Sequence, residues 1–190
     1  MMKNNLNFTE EMKEMIKGWK GKILKGYIEN DDSENVTTIR FLIDDKAFDF
    51  TNDYISYEYP DGDCAELTCF SCVEVGENEP LRTTVVGGKR KENRIEKKII
   101  DIYLVTDKEK GKLFDTGVPY EMTYETALII QTEYAWYVFW RNLIFYTIEI
   151  ANCEDKESAL KAIKSVEEIH HELQEENPYT VTVERMVQQL

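Results

Sequence analysis

Apolar residues recur at two different spacings along this chain, and the first spacing is that of a helix. Near the start they are separated by three or four positions, which is typical of a helix with one buried face. Asn7 is the predicted N-cap, with Glu10 as its capping-box partner, and Gly18 and Gly21 are predicted to end the helix. The apolar stripe consists of Phe8, Met12, Met15, Ile16 and Trp19.

From residue 22 onward the spacing shortens to two, which is typical of half-buried strands. Phe48 and Phe50, for example, lie on either side of Asp49. Residues 44–46 and 60–62 have the composition of turns. The predicted strands of this half cover residues 22–29, 36–43, 47–51, 54–59 and 66–75.

The second half contains the aromatic-rich block TALIIQTEYAWYVFWRNLIFYTIEI, residues 126–150. Valine, isoleucine, threonine and aromatic residues dominate it, and these residue types favour strands over helix. We therefore predict a series of strands here, preceded by a strand at 98–106, rather than one long buried helix. The tail, residues 179–190, is predicted to add a strand at 179–184, a helical turn at its end, or both.

The two halves share a sequence pattern that predicts an internal duplication. KILKGYIEND, residues 22–31, returns as KIIDIYLVTD, residues 98–107, with lysine, isoleucine, tyrosine and aspartate at the same places and a shift of 76 residues. Farther along, a shift of 89 residues superimposes apolar positions. Chance alignment of two unrelated β-rich stretches is the alternative. The pairs matched at 89 include Ile39–Leu128, Phe41–Ile130, Phe48–Tyr137, Phe50–Phe139 and Tyr59–Ile148.

The two halves differ on one face of the matched hairpin. The first has a polar outer face, whereas the second is apolar on both faces and needs a cover. The predicted cover is the amphipathic helix at 155–176, or the N-terminal helix with Trp19. A partner protein or a second copy is the alternative, because tryptophan concentrates in interface cores. The polar residues are Ala47, Asp49 and Thr51, and their counterparts are Trp136, Val138 and Trp140.

These elements predict an α+β protein. Two related antiparallel β units lie side by side, with an N-terminal helix and a C-terminal helix packed on a sheet. The predicted segments are the helix at 1–21, the first β unit at 22–76, an exposed basic linker at 77–97, and the second β unit with its helix at 98–190.

The net charge of the chain favours one class of binding partner. The 190 residues include 37 acidic and 23 basic ones, which gives a net charge of −14 and a pI of about 4.7. Such a surface repels nucleic acid and favours basic proteins. The first residues lack the apolar core of a secretory signal, and charged or amide residues interrupt the most apolar stretch, 127–151. The expected location is cytoplasmic, with no membrane contact.

The four cysteines carry the sharpest spacing signal. Cys64, Cys69 and Cys72 have the C-x4-C-x2-C spacing of a plant-type [2Fe–2S] site, with Cys153 far downstream. Alternation around Cys69 is typical of an ordinary strand, however, and a strand would point Cys69 and Cys72 to opposite faces. Structural thiols are therefore the favoured interpretation, and the cluster is the alternative.

The remaining motifs favour no particular chemistry. His170-His171 is followed by residues that lack the second histidine of a zincin helix, and no phosphate-loop or nucleophile-elbow pattern occurs. Glu58, Asp61 and Asp63 are more typical of a solvated turn than of a calcium loop. The basic run at 89–98 is interpreted as a solvated loop.

The leading hypothesis is a non-enzymatic acidic binding protein without a cofactor, of the inhibitor or immunity type, that occupies the surface of a basic nucleic-acid-handling protein. One alternative is an iron–sulfur electron carrier with ligands Cys64, Cys69, Cys72 and Cys153. Another is a structural subunit or homodimer. The candidate partner-binding residues are Asp44, Asp45, Asp49, Asp53, Glu58, Asp61, Asp63, Trp136 and Trp140.

Overall fold

The computed structural model describes most of the chain as ten strands and two short helices. The described residues are 2–31, 36–58, 64–76, 79–81, 89–112, 117–142, 147–164, 168 and 182–190, with the backbone alone for 2–4, 30–31, 54–58, 64–67 and 89. The strands are β1 Met2–Leu6, β2 Ile23–Asp31, β3 Thr38–Ile43, β4 Lys46–Glu58, β5 Cys64–Val75, β6 Lys89–Lys112, β7 Pro119–Thr132, β8 Trp136–Asn142, β9 Thr147–Cys153 and β10 Thr182–Gln189. The helices are α1 Glu10–Lys17 and α2 Lys156–Ala162.

The predicted α+β class is wrong, because the fold is mainly β. All ten strands belong to one sheet with the order β5-β4-β3-β2-β6-β7-β8-β9, while β1 pairs with β7 and β10 pairs with β6. The two halves are not separate units either. Residues 89–98 of β6 pair with β2, and residues 99–112 of the same strand pair with β7. The basic run at 89–98 is therefore part of a strand rather than a loop.

The sheet folds over so that its two halves face each other. The rings of Phe41 in β3 and Phe139 in β8 lie 4.7 Å apart between centroids, although three strands separate β3 from β8 in the sheet order. The Ile148 amide of β9 also donates to the Val36 carbonyl at 2.6 Å, which joins the two halves again. The main hydrophobic core lies between the facing halves, where apolar side chains of both are removed from water.

The central hairpins of the two halves have the same pairing register. Phe41 pairs with Phe48 in the first, and Ile130 pairs with Tyr137 in the second, as the shift of 89 residues predicts. The choice of strands for the aromatic-rich block is confirmed, since it contains the end of β7, all of β8 and the beginning of β9.

The sequence alignment of the opening strands is wrong by one residue. Tyr27 pairs with Phe41 and Ile102 pairs with Ile130, so the equivalent positions differ by 75 rather than 76. A one-residue slip moves every side chain to the other face of a sheet. Tyr27 accordingly packs against the main core, whereas Tyr103 belongs to a second cluster on the outer face.

The shift of 89 residues also fails beyond the central hairpin. Strand β4 continues to Glu58, whereas Thr147, the position 89 residues later, already belongs to a separate strand, β9, that runs antiparallel to β8. Ile148 pairs with Arg141, just as Phe70 pairs with Asn52, so Ile148 matches Phe70 rather than Tyr59. Alternating apolar residues align at several shifts, and only the pairing distinguishes them.

Helix α2 covers the apolar outer face of the second half, which confirms this prediction. Ala159 and Ile163 are buried against Ile129, Val138 and Trp140. The helix is shorter than the predicted 155–176, because it ends at Ala162 and Ile163 has an extended backbone. The Ile163 carbonyl instead accepts a hydrogen bond of 2.7 Å from Arg185 Nη1 in β10. Most of the predicted helix beyond residue 164, with both histidines, lies outside the described residues.

The outer face of the first half is covered too, although the sequence presents it as polar. Asp49 has no exposed surface and pairs with Arg40, which is 2% exposed, through bonds of 2.6 and 2.9 Å. The Arg40 guanidinium also donates to the carbonyls of Glu79 and Pro80. The chain that follows β5 therefore lies over this ion pair.

Among the described residues, no helix has the length and apolarity needed to cross a bilayer.

Candidate functional site: the groove between α1 and β5

Helix α1 is fixed to the sheet at both of its ends. Thr9, not the predicted Asn7, is the N-cap, and its side chain accepts a hydrogen bond of 3.2 Å from the Met12 amide. Before the cap, Phe8 packs on the Phe50 ring at 6.2 Å between centroids. After the helix, Trp19 is fully buried, and the centroid of its ring lies 5.0 Å from that of Phe48. These aromatic contacts at both ends pack one face of α1 against the sheet.

A groove of about 430 Å³ lies between the helix and strand β5. Helix side chains and the carboxyl-terminal end of β5 form its two walls. Met12 and Met15 are only partly buried, and Cys72 is the most deeply buried residue of the lining. Methionine is flexible and polarisable, so such a surface adapts to differently shaped apolar groups. The lining residues are Thr9, Glu11, Met12, Met15, Cys72, Val73 and Glu74.

Strand β5 has a backbone edge, beside this groove, with which none of the described strands pairs. It pairs with β4 over twelve residues and is the terminal strand in the sheet order of the described chain. An edge strand presents backbone N–H and C=O groups that pair readily with another extended chain. The edge carries neither proline nor lysine between Cys64 and Val75, so it lacks two common means of preventing such pairing.

The rim of the groove is acidic. Glu11 on α1 and Glu74 on β5 are both exposed, and Glu11 forms no ion pair with the described residues. Glu74 bonds Lys46 at 2.9 Å, which places the β3–β4 turn with Asp44 and Asp45 at the same end of β5. The site therefore combines an apolar floor, an open strand edge and a negative rim.

No family model, curated protein or solved structure matches this chain.

The predicted acidic partner residues are placed in different surroundings. Asp45 is exposed, and Asp44 accepts a bond of 2.9 Å from the Ile23 amide. Asp53 accepts a hydrogen bond of 2.6 Å from the Ser71 hydroxyl. Asp49 forms a buried ion pair with Arg40. Asp61 and Asp63 lie outside the described residues, as does the Glu58 side chain.

The two candidate tryptophans do not form an open surface. Trp140 is buried on the outer face of the second half under α2. Trp136 is half-buried and stacks on the Tyr103 ring at 5.4 Å between centroids. Lys156 of α2 lies 4.5 Å above the same tyrosine ring. The cover predicted for this face thus occupies the surface that a partner would need.

The three cysteines whose side chains are described do not converge, and the Cys64 side chain lies outside the described residues. Cys72 faces the core, Cys69 three positions earlier is half-buried, and Cys153 lies on another strand, β9. Burial raises the pKa of all three thiols, and that of Cys72 most strongly. A raised pKa disfavours the thiolate that an iron–sulfur cluster requires. In the part of the chain that is described, no group of three or more cysteine, histidine or acidic residues is arranged around a metal position.

Sequence reasoning placed Met12 and Met15 in the core stripe and missed the groove that they line. The signal present in the sequence was the choice of methionine at two positions of one helical face, where leucine is the usual core residue. The open edge of β5 had no local signal, because strand order depends on the whole chain.

Proposed function

We propose that this protein binds an extended, basic segment of a partner protein along strand β5, beside helix α1. It is a binding protein rather than a catalyst, and it blocks the bound segment from other contacts, as inhibitors and immunity proteins do. The observation that carries the proposal is the coincidence of a strand edge with which no described strand pairs, a methionine-lined groove and an acidic rim.

Each of these parts supplies one component of binding. Backbone groups of β5 pair with the added strand, and this gives affinity that is independent of side-chain identity. The groove of Met12 and Met15 accepts alternate apolar side chains of the segment. Glu11 and Glu74 face the intervening lysine or arginine side chains, and the net charge of −14 accelerates encounter with a basic partner.

The proposal is tested with two synthetic peptides of about ten residues, one alternating lysine with valine and one alternating glutamate with valine. We expect only the lysine peptide to bind, with an affinity that falls as salt rises. Hydrogen exchange of the complex should show new protection at β5 amides. Equal binding of both peptides, or protection confined to other strands, would contradict the proposal.

Charge-matched variants separate the site from net charge. The double variant Glu11→Lys and Glu74→Lys reverses the rim, and we expect it to weaken binding by about tenfold or more. The control Glu133→Lys and Glu154→Lys makes the same change in net charge at two exposed positions outside the groove lining. Equal losses in both variants would show that only overall charge acts.

Self-association through the same edge is the competing outcome. Light scattering of the purified protein should show a monomer over a wide concentration range. A dimer that protects β5 amides in the absence of peptide would assign the edge to a second copy of this chain and overturn the proposal.

A further inference from the structure

The groove between α1 and β5 contains sulfur in two chemical forms. Met12 and Met15 contribute thioethers from the helix, and Cys72 contributes a thiol from the strand. Both methionines pack against the main core, but part of each side chain stays exposed. Cys72 is only 2% exposed. The two forms therefore differ in how easily a small solute reaches them.

The thiol of this groove is protected from oxidation. Burial, followed by the charge of Asp49, strongly raises the pKa of Cys72, so the thiol keeps its proton. The thiolate is the form of cysteine that peroxides oxidise. A thioether has no ionisable proton, so its oxidation needs only access to the sulfur. An oxidant that enters the groove therefore reacts with Met12 and Met15 rather than with Cys72.

Oxidation of a methionine changes the polarity of the surface that it forms. In the reaction with hydrogen peroxide, a lone pair of the sulfur attacks one peroxide oxygen, an S–O bond forms and the O–O bond breaks. The second oxygen leaves as hydroxide and takes the proton of the transferred oxygen, which gives water. The sulfur loses two electrons and the peroxide gains them. The product is a sulfoxide, which is polar and chiral where the thioether was apolar and flexible.

Helix α1 is held on the sheet chiefly by residues other than these two methionines. Ile16 and Trp19 have no exposed surface, and Phe8 is 4% exposed, so the residues that anchor the helix lie in the main core. The N-cap bond from the Met12 amide to Thr9 uses the backbone and does not involve the sulfur. Oxidation therefore changes the surface of the groove while α1 stays on the sheet.

We propose that Met12 and Met15 form a reversible oxidation site, and that their conversion to sulfoxides by a peroxide closes the groove to apolar side chains. This regulation rests on the proposed binding function, because it acts on the same groove. A sulfoxide oxygen loses its water when an apolar side chain of the partner enters, and burial of a polar group without a hydrogen bond is unfavourable. Sulfoxide reductases return both groups to thioethers and reopen the groove.

Two other methionines with described side chains provide an internal comparison. Met186 in β10 is 47% exposed, and Met122 in β7 is partly buried. Neither belongs to the groove lining. Met186 should therefore be oxidised at least as readily as the groove methionines, but without an effect on binding.

The experiment treats the purified protein with hydrogen peroxide and measures its affinity for the lysine–valine peptide before and after treatment. Mass spectrometry of proteolytic fragments gives the extent of oxidation at each methionine. We expect the affinity to fall at least about tenfold as Met12 and Met15 are converted, and sulfoxide reductases specific for the two epimers should restore it. Circular dichroism follows the fold of the oxidised protein. A loss of binding that accompanies unfolding would overturn the proposal.

Two variants locate the effect, and each is compared with itself before and after peroxide. The double variant Met12→Leu and Met15→Leu has no thioether in the groove, so peroxide should not lower its affinity. Met186→Leu removes the exposed methionine outside the groove and should stay as sensitive as the wild type. A double variant that still loses affinity would overturn the proposal. The reductase treatment of the wild type decides even if the double variant binds too weakly to measure.

The same measurements separate the oxidation site from the proposed function. Absence of binding to the untreated protein would contradict both. Equal binding before and after conversion of Met12 and Met15 would contradict the oxidation site alone. Resistance of these two residues to peroxide while Met186 reacts would also overturn the oxidation site, and mass spectrometry shows this without any peptide.

Discussion

The hairpins β3–β4 and β7–β8 share one backbone register but cover their outer faces by opposite means. The pair Arg40–Asp49 occupies the positions that Ile129 and Val138 occupy in the second hairpin. The first pair is an ion pair under the carbonyls of Glu79 and Pro80, and the second is an apolar contact under α2. The pairing register determines which residues face outward. The segment that packs over that face determines whether those residues are charged or apolar.

The largest expected effect comes from breaking the ion pair. Asp49→Ala leaves Arg40 buried without its counter-charge, and we expect it to lower the free energy of unfolding by about 3–5 kcal/mol in urea denaturation. The double variant Arg40→Ile and Asp49→Val copies the second hairpin, and it should lose less than the single variant because no charge is stranded. A loss below about 1 kcal/mol for Asp49→Ala would show that the pair is not a buried requirement.

A second contrast concerns the first strand of each half, β2 and β6. Gly26 in β2 and Asp101 in β6 occupy equivalent positions in the pairing of these strands. A Cβ atom at Gly26 would overlap the Asn93 carbonyl oxygen in β6, at a bulge that shifts the β2–β6 register. Gly26→Ala should therefore cost about 1–3 kcal/mol, since the backbone must move. Asp101→Ala removes a partly exposed ion pair with Lys20 and should cost less than about 1 kcal/mol. Thermal melts of both variants test the difference, and equal losses would contradict it.

The smallest effect is the contribution of Tyr27, in β2, to the pH dependence of stability. Burial, followed by the charge of Glu29, raises the pKa of Tyr27 to about 12, whereas its counterpart Ile102 does not ionise. Between pH 10 and 12 the unfolded tyrosine loses its proton while the folded one keeps it, so stability falls as pH rises.

Tyr27→Phe should remove this part of the fall, and Tyr134→Phe at an exposed position should not. Urea midpoints measured from pH 9 to 12 distinguish the variants. Parallel curves for Tyr27→Phe and the wild type would contradict the assignment.

Much of the β-structure could be predicted because it depends on local alternation. The β3–β4 hairpin, the strands of the aromatic-rich block and the helical cover over its outer face all have patterns within a few tens of residues. Strand β1 has no such pattern. Its sequence MKNNL is polar, and it is a strand only because β7, more than a hundred residues later, pairs with it. Propensity is overridden there by tertiary pairing.

The candidate sites were less accessible to sequence reasoning than the fold. An acidic composition pointed to a basic partner but not to where the acids lie, and Asp49 and Asp53 proved to be engaged within the chain. The groove between α1 and β5 arises from contacts between distant segments, and a single sequence does not encode these as a readable pattern.

The long strand β6 has a consequence for synthesis on the ribosome. Strand β2 receives its second neighbour only when residues 89–98 emerge, and β1 at the very start waits for residues 120–124. Strands β1 and β2 are thus translated before the residues of β6 and β7 that pair with them, and their backbone edges stay unpaired until then. Delays in elongation between residues 76 and 124 would prolong that exposure and favour misassembly between nascent chains.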